Sequence, residues 1–527
     1  MSAGQGRKHV LIAGGGIAGL EAMLALSHLA PGVVDVELLS ARPDFVYRPL
    51  LVAEPFGVAE MPRIDLRELA EDTGSRYTSG SLTRVEPKRG TVRTADGEMP
   101  FDLLLIAVGA RPVGVVTGAI TFGEEGGGFA GALAAFGQRG HRRIVFVVPP
   151  GVSWSIAAYE LALLTAAERD ARRLHGTEIA LVTHESGPLG VFGTAASKLV
   201  AARLDEAGIS LHTEARAETV VGHRLRLESG EELEPAAVIA LPGLRVPPIQ
   251  GLPQREGGFV QTDVTMRVAG LEHVWAAGDA TWFPVKQGGL ATQQADAAAR
   301  SIAALAGAHV PAEPFRPVLR AALITGGSPE FLRAFLPRRG ETEITAGAAL
   351  WWPPVKVAGK YLGPYLARRF WGEAGEEELA DLKPSDDRAA DAEEHEDALA
   401  LVLAAADADA AVGDFEGALR WLTFAQELDL VIPATYVSRR YEWRRQLEPG
   451  LAPGAAAERL DPSFKSADAA MSDLYRRLGW LREIEHDTGS EMADHLSFLD
   501  AGIEQLRALT RRAGIFRGTG EARQERP

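Results

Sequence analysis

Gly14-Gly15-Gly16-Ile17-Ala18-Gly19 leaves this chain few architectures to choose from. The six residues follow a short apolar run, His9–Ala13, and open a run with helical character, Leu20–Leu29. A second apolar run, Val34–Leu39, comes next. Strand, glycine turn, helix and strand in that order predict a β-α-β unit of the kind that holds a dinucleotide. In such a unit Gly14 permits the tight turn, Gly16 lets a pyrophosphate reach the backbone, and Gly19 lets helix and strand pack closely. The helix N-terminus then faces the phosphates. The acid usual at the end of the second strand is absent. Ser40-Ala41-Arg42 stand there instead. Ser40 can hydrogen-bond a ribose hydroxyl, and Arg42 belongs either to the nucleotide or to the solvated surface.

The same pattern returns later in the chain. Residues 81–107 read as short strands ending in the buried run Leu103–Ala107, which Gly109 and Pro112 stop. A new α/β pattern starts at Ile144, with a helix from about Ser155 to Leu174, a strand over Glu178–Thr183 and a helix over Ala195–Ala207. Strand character resumes over 258–279, and a helix follows from about Gly289 to Leu305. One nucleotide-type unit is therefore expected inside another. The strand Val274–Ala277 ends in Gly278-Asp279. Asp279 would accept hydrogen bonds from a ribityl chain, and the helix start at Gly289-Leu290 would face a flavin carbonyl whose charge grows on reduction. FAD, rather than NAD alone, is the expected cofactor.

With these residues in view, residues 8–325 resemble the two-dinucleotide-domain flavoprotein reductases. The motifs are the glycine turn, Leu104–Pro112 (LLIAVGARP) and Val274–Ala299. Within that superfamily the chain is most similar to the type II NADH:quinone dehydrogenases and the sulfide:quinone oxidoreductases. Phe45–Leu51 (FVYRPLL) is similar to the segment those proteins place beside the isoalloxazine. The resemblance implies that Pro49, Leu50, Val85, Ala107, Val108, Gly109 and Gln287 also line the cofactor. It implies an α/β fold of two nested Rossmann-like dinucleotide-binding domains.

The second turn does not match. It reads Pro149-Pro150-Gly151-Val152-Ser153-Trp154-Ser155, where Trp154 takes the place of a glycine and the prolines remove backbone donors. Glu160 falls where NADH-using relatives carry a glutamate near the nicotinamide, or is an ordinary helix residue. Glu185 is a candidate ribose acid. Val182–Gly193 is similar to the sulfide:quinone branch, but that branch works through redox cysteines, and this chain has none. Thiolate and disulfide chemistry are excluded with them, so NAD(P)H remains a candidate donor and the donor side stays open. On the acceptor side, Gly288–Gln294 resembles the quinone motif of type II dehydrogenases, with Gly289 where those carry a glutamine. Gln293 and Gln294 could bond a quinone carbonyl, or the helix start could serve the flavin only. Lys286 could stabilise an anionic reduced flavin.

Charge divides the chain. Fifteen acids and two bases lie between Glu373 and Asp414, so nearly all of the net charge of −16 is local. That sign disfavours nucleic acid. The expected organisation is an FAD-binding domain over 1–120 and 255–325, with an NAD(P)-type domain over 121–254 between them. A flavin cap follows over 326–372, then an acidic linker over 373–397 and an all-α extension over 398–527. No metal-ligand cluster, signal peptide or membrane-spanning run is read from the sequence. The expectation is a cytoplasmic flavin-dependent oxidoreductase that passes electrons from a small-molecule donor to a quinone or other acceptor. Peripheral membrane contact, through the aromatic and cationic segment 350–371 with Lys356, Lys360, Arg368 and Arg369, and a homodimer are left open. The alternative is a flavin-bearing scaffold or redox sensor whose residues 373–527 bind a protein partner.

Overall fold

In a computed structural model, the described residues are 6–370 except 125–127, 139–141, 153, 336–342, 347–349 and 352–354. Beyond these come 402–403, 406–407, 409–411, 413–427, 432 and 434–447. Two compact units divide the chain, Met1–Val431 and Ile432–Pro527. The expected helices over Ser466–Ile484 and Met492–Arg512, and the acidic linker, lie outside the described residues.

The first unit holds two five-stranded parallel sheets. In one, β1 (Lys8–Ala13) lies between β2 (Val34–Ser40) and β4 (Leu103–Ile106), with β3 (Arg76–Ser79) outside β2. The chain then leaves to build the second sheet from β5 (Ile120–Thr121), β6 (Arg143–Val148), β7 (Glu178–Thr183), β8 (Ile209–His212) and β9 (Ala237–Ala240), in spatial order β5-β9-β6-β7-β8. It returns to add β10 (Val274–Ala276) beside β4 in the first sheet. The nesting follows the sequence reading. Buried parallel strands explain the unbroken apolar runs: Leu103–Ile106 and Val274–Ala276 have water on neither face.

Two helices frame the first sheet's carboxyl ends. α1 (Ile17–Leu29) is apolar almost all round and correspondingly buried. It packs on α4 (Gly288–Ala306), a helix of small residues that lets the backbones approach. In the second of these sheets, which with its helices is the second nucleotide unit and lies wholly within Met1–Val431, α2 (Ile156–Ala171) follows β6 and α3 (Thr194–Glu206) follows β7. An antiparallel sheet, β11 (Val318–Leu323), β12 (Glu330–Phe335) and β13 (Glu343–Ala346), comes after α4. A short helix over 362–370 follows it.

The sequence reading assigned 398–527 to one helical extension. Its helix α5 (Phe415–Glu427), with the helical residues 409–411 before it, instead belongs to the large compact unit. The reason is apolar and aromatic: Phe424 meets Phe283 edge-on, with centroids 4.9 Å apart. In the second compact unit, α6 (Ala434–Leu447) buries Trp443 and sets Tyr436 edge-on against it.

Candidate active site

The glycine turn divides into positions that packing requires and one that it does not. Gly14 has φ +127°, and a Cβ there would lie 2.1 Å from the Ala107 carbonyl oxygen. A Cβ on Gly19 would lie 1.8 Å from the Gly14 carbonyl oxygen, and one on Gly15 would strike Leu66 and Ser40. Gly16 has an ordinary extended backbone, and its Cβ would meet no heavy atom within 4 Å. Nothing in the protein requires glycine there. The next residue, Ile17, begins α1, and no side chain caps that helix start. Open space before uncapped N–H groups is what a pyrophosphate needs. Ala18 is buried against Gly278, whose Cβ would come 3.0 Å from it.

Other predicted contacts fall differently. The Ser40 hydroxyl donates to the Arg42 carbonyl at 3.0 Å and accepts from the Arg42 N–H, closing a local turn around Ala41. Its proton is thus committed away from a ribose, while Arg42 lines the large cleft described below. Val85 sits in the apolar core, and its N–H is taken by the Gln250 carbonyl. Ala107 ties the β4 exit to Ala13, while Val108 and the left-handed Gly109 continue outward. Pro49 and Leu50 form a half-buried turn after Tyr47, whose hydroxyl accepts the Val357 N–H at 3.0 Å.

At the other end of the site, Gly278 presents Asp279 to the cleft. Lys286 is buried beside it, donates to the Thr281 carbonyl and lies 4.3 Å from the centre of the Phe259 ring. Burial raises the Asp279 carboxyl and lowers the Lys286 ammonium well below its ordinary range. Gln287 caps α4 by accepting the Leu290 N–H at 3.1 Å, and a Gly289 Cβ would lie 3.1 Å from that same oxygen. Gln294 accepts from the Gly278 N–H at 2.8 Å and from Thr281. Gln293 donates to the Gly289 and Val318 carbonyls and accepts the Val318 N–H at 2.8 Å. Both glutamines, expected at a quinone, are committed to backbone: one holds the Gly278 turn and the other holds β11.

The second turn is closed by its own side chains. Trp154 packs against Phe192 at 5.8 Å between ring centroids. Glu185 accepts from Ser155 at 2.9 Å, from Thr183 at 2.9 Å and from the Tyr159 hydroxyl. Three hydroxyls thus already satisfy the acid expected to take a ribose. Glu160 does not face the cleft. It is fully buried, pairs with Lys356 at 2.6 Å and accepts the Ile324 N–H at 3.0 Å. Between the two sheets lies a cleft of about 1060 Å³. Arg48, Trp154, Leu244, Asp279, Lys286 and Arg420 are among the residues around it.

Comparison with known proteins settles the family: the model described as pyridine nucleotide-disulphide oxidoreductase matches residues 8–301. The chain belongs to that family. It is 28% identical over 205 residues to a sulfide-quinone reductase of Aquifex aeolicus, covering 36% of this chain and 47% of that one. It is 23% identical over 323 residues to an external alternative NAD(P)H-ubiquinone oxidoreductase of Arabidopsis thaliana, covering 52% and 54%. The chain thus spans about half the length of these curated relatives. The solved sulfide:quinone oxidoreductase of Aquifex aeolicus superposes with a TM-score of 0.58 at 18% identity, over 72% of this chain and 93% of that one.

The pyridine nucleotide-disulphide oxidoreductases are FAD-dependent oxidoreductases, and the open Gly16 cradle fits that cofactor's pyrophosphate. This member departs from the family's name, since it has no cysteine to form a disulphide. Sequence reasoning missed Glu21. Fully buried in α1, it accepts the N–H groups of Tyr361 and Leu362 at 3.0 and 2.7 Å, tying the segment after β13 to the cofactor helix. Burial pushes its carboxyl up to about 7. The signal available was one acid inside an otherwise apolar run, IAGLEAML. Lys356 and Arg369, read as candidate membrane cations, pair with Glu160 and with Glu68 and Asp72. No helix among the described residues is long and apolar enough to cross a membrane. None of the described residues form a group that could hold a metal.

Proposed function

We propose that this chain takes electrons from a small-molecule donor and delivers them to a quinone or another acceptor, with FAD held between β1, α1 and α4. The observation that carries the proposal is the Gly16 cradle in one unit with the Asp279–Lys286 pair. A phosphate-accepting turn and a buried acid–base pair stand at two ends of a single site. When bound, FAD supplies the two-electron chemistry.

The chain's residues bind, orient and set charge. The α1 N-terminus with Gly16 would hold the pyrophosphate, and Asp279 would accept from the polyol chain. Lys286, whose ammonium form burial disfavours, would stand beside the place where negative charge accumulates and would stabilise that charge. Gln294 holds the Gly278 turn and Gln293 holds β11 rather than bonding the acceptor. NAD(P)H remains a candidate donor, and Glu160 supports the second unit through Lys356 instead of meeting a nicotinamide. Peripheral membrane contact would bring a quinone to the cleft without a spanning helix.

The test is the absorption spectrum of the purified full chain, mixed anaerobically in turn with NADH, NADPH and a quinol. A yellow protein that one of them bleaches, and that a soluble quinone re-oxidises, is the expected result. Protein that purifies without flavin and takes up none would refute the proposal.

A further inference from the structure

The extension helix α5 and the helical residues 409–411 before it stand against the nucleotide side of the second nucleotide unit. In a parallel sheet of this kind a dinucleotide lies across the carboxyl ends of the strands, beside the turn that follows the first of them. Here that turn is Pro149–Ser155, and the next strand ends at Thr183 beside Glu185. Asp409 lies close enough to Glu185 to feel its charge. Gly413 abuts Arg216: a Cβ there would be 3.1 Å from the guanidinium. Asp414 and Glu416 line the same cleft as Pro150 and Trp154.

The segment then reaches the flavin end. Arg420 lies 4.6 Å from the centre of the Trp282 ring and 4.8 Å from that of Phe259, the ring that Lys286 also covers. Its outer nitrogen pairs with Glu416 at 2.6 Å, and Phe424 closes on Phe283. The docked segment is internally tied: Asp414 caps α5 at the Gly417 N–H, 2.8 Å, and Trp421 donates to Asp409 at 3.0 Å. One stretch of chain thus runs from the ribose end of the second site to the flavin end of the first. It carries carboxylates toward the place where a pyrophosphate would sit.

We propose that the described residues between 402 and 427 are the specificity element of the donor side. They occupy the approach of a pyridine dinucleotide, so the docked protein admits smaller or less anionic donors and a dinucleotide binds only when the segment releases. The proposal rests on the flavin reading for its meaning, but its test does not. Equilibrium binding of NADH to the full chain is measured by calorimetry, which needs no turnover.

Phe424→Glu should undock α5, seen as new protease cleavage within 402–427, and tighten NADH binding at least ~10-fold, about 1.4 kcal/mol. Cleavage without tighter binding overturns the proposal. Should that variant fail to fold, the cysteine-free background allows a lock. In Phe283→Cys with Phe424→Cys, oxidation should weaken NADH binding and reductant should restore it. Equal binding in the two forms overturns the proposal. A chain that lacks flavin altogether would refute the flavin reading while leaving this binding comparison intact.

Discussion

The two β-turn-α units of this chain share a topology and differ in what fills the turn. After β1, Gly16 leaves open space in front of an uncapped helix. After β6, Trp154 stacks on Phe192, and Ser155, Thr183 and Tyr159 consume the nearby acid. The first turn keeps its polar groups for a ligand, and the second spends them internally. Even the glutamate of the second unit's helix is spent, on Lys356. The strands and helix of such a unit do not depend on how the turn's polar groups are used, so one topology can carry an open turn and a self-satisfied one.

The sharpest way to break this comparison is within the first turn. Gly14→Val should abolish folding, since its Cβ would overlap the Ala107 carbonyl at a φ that side chains avoid. Gly16→Val should fold, with an unchanged melting temperature for the apo form, yet bind FAD ~100-fold more weakly, about 3 kcal/mol. Equilibrium dialysis with FAD measures it, and full retention of flavin would break the cradle assignment. In the second unit, Lys356→Met leaves Glu160 buried without its partner and should cost about 3–5 kcal/mol by denaturant unfolding. Adding Glu160→Gln should recover part of that loss. If Lys356→Met instead leaves stability intact and weakens NADH binding, Glu160 serves a nucleotide after all.

A smaller effect is expected at Gln293. Gln293→Ala should lose about 1–3 kcal/mol, because the Val318 backbone groups are left unpaired. The KM for a soluble quinone should not move. A pH slope is expected at the docked segment as well. Burial, and then Asp414, push the Asp409 carboxyl up to about 8, with Glu185 adding to the rise while Trp421 and Arg420 oppose it. Because its folded value is raised above the ordinary 3.8, the folded form holds the extra proton between those values. Docking of the segment should therefore weaken as pH climbs from about 4 to about 8 and level off above, and Asp409→Asn should flatten that slope. Protease sensitivity of 402–427 across pH reads it out.

Much of this was legible before any coordinates. The nested units could be read because buried parallel strands demand unbroken apolar runs, and Ile144–Val148 and Val274–Ala277 supply them. The defect in the second turn could be read because a tryptophan cannot stand in for glycine beside a pyrophosphate. The fates of Gln293, Gln294 and Ser40 were not legible. A side chain in a motif shows its donors and acceptors but not which backbone groups fold up beside it, and here those were Val318, Gly278 and Arg42. The partners of Glu185 and Glu160 were not legible for the same reason, since Ser155, Tyr159, Lys356 and Ile324 lie elsewhere in the chain.

The amino-acid order alone dictated a nested dinucleotide fold, one intact phosphate turn, one spoiled turn and the exclusion of cysteine chemistry. Each of these follows from local sterics or from the absence of an atom type. Only the tertiary structure decided that Glu21 ties the segment after β13 to the cofactor helix. It also decided that Lys356 neutralises Glu160, and that α5 lies against Phe283 beside the flavin end of the cleft. Those pairings join residues far apart in sequence, 341 positions for Glu21 with Leu362 and 196 for Lys356 with Glu160, and what brings them together is the burial of apolar and charged surface, which no local pattern encodes.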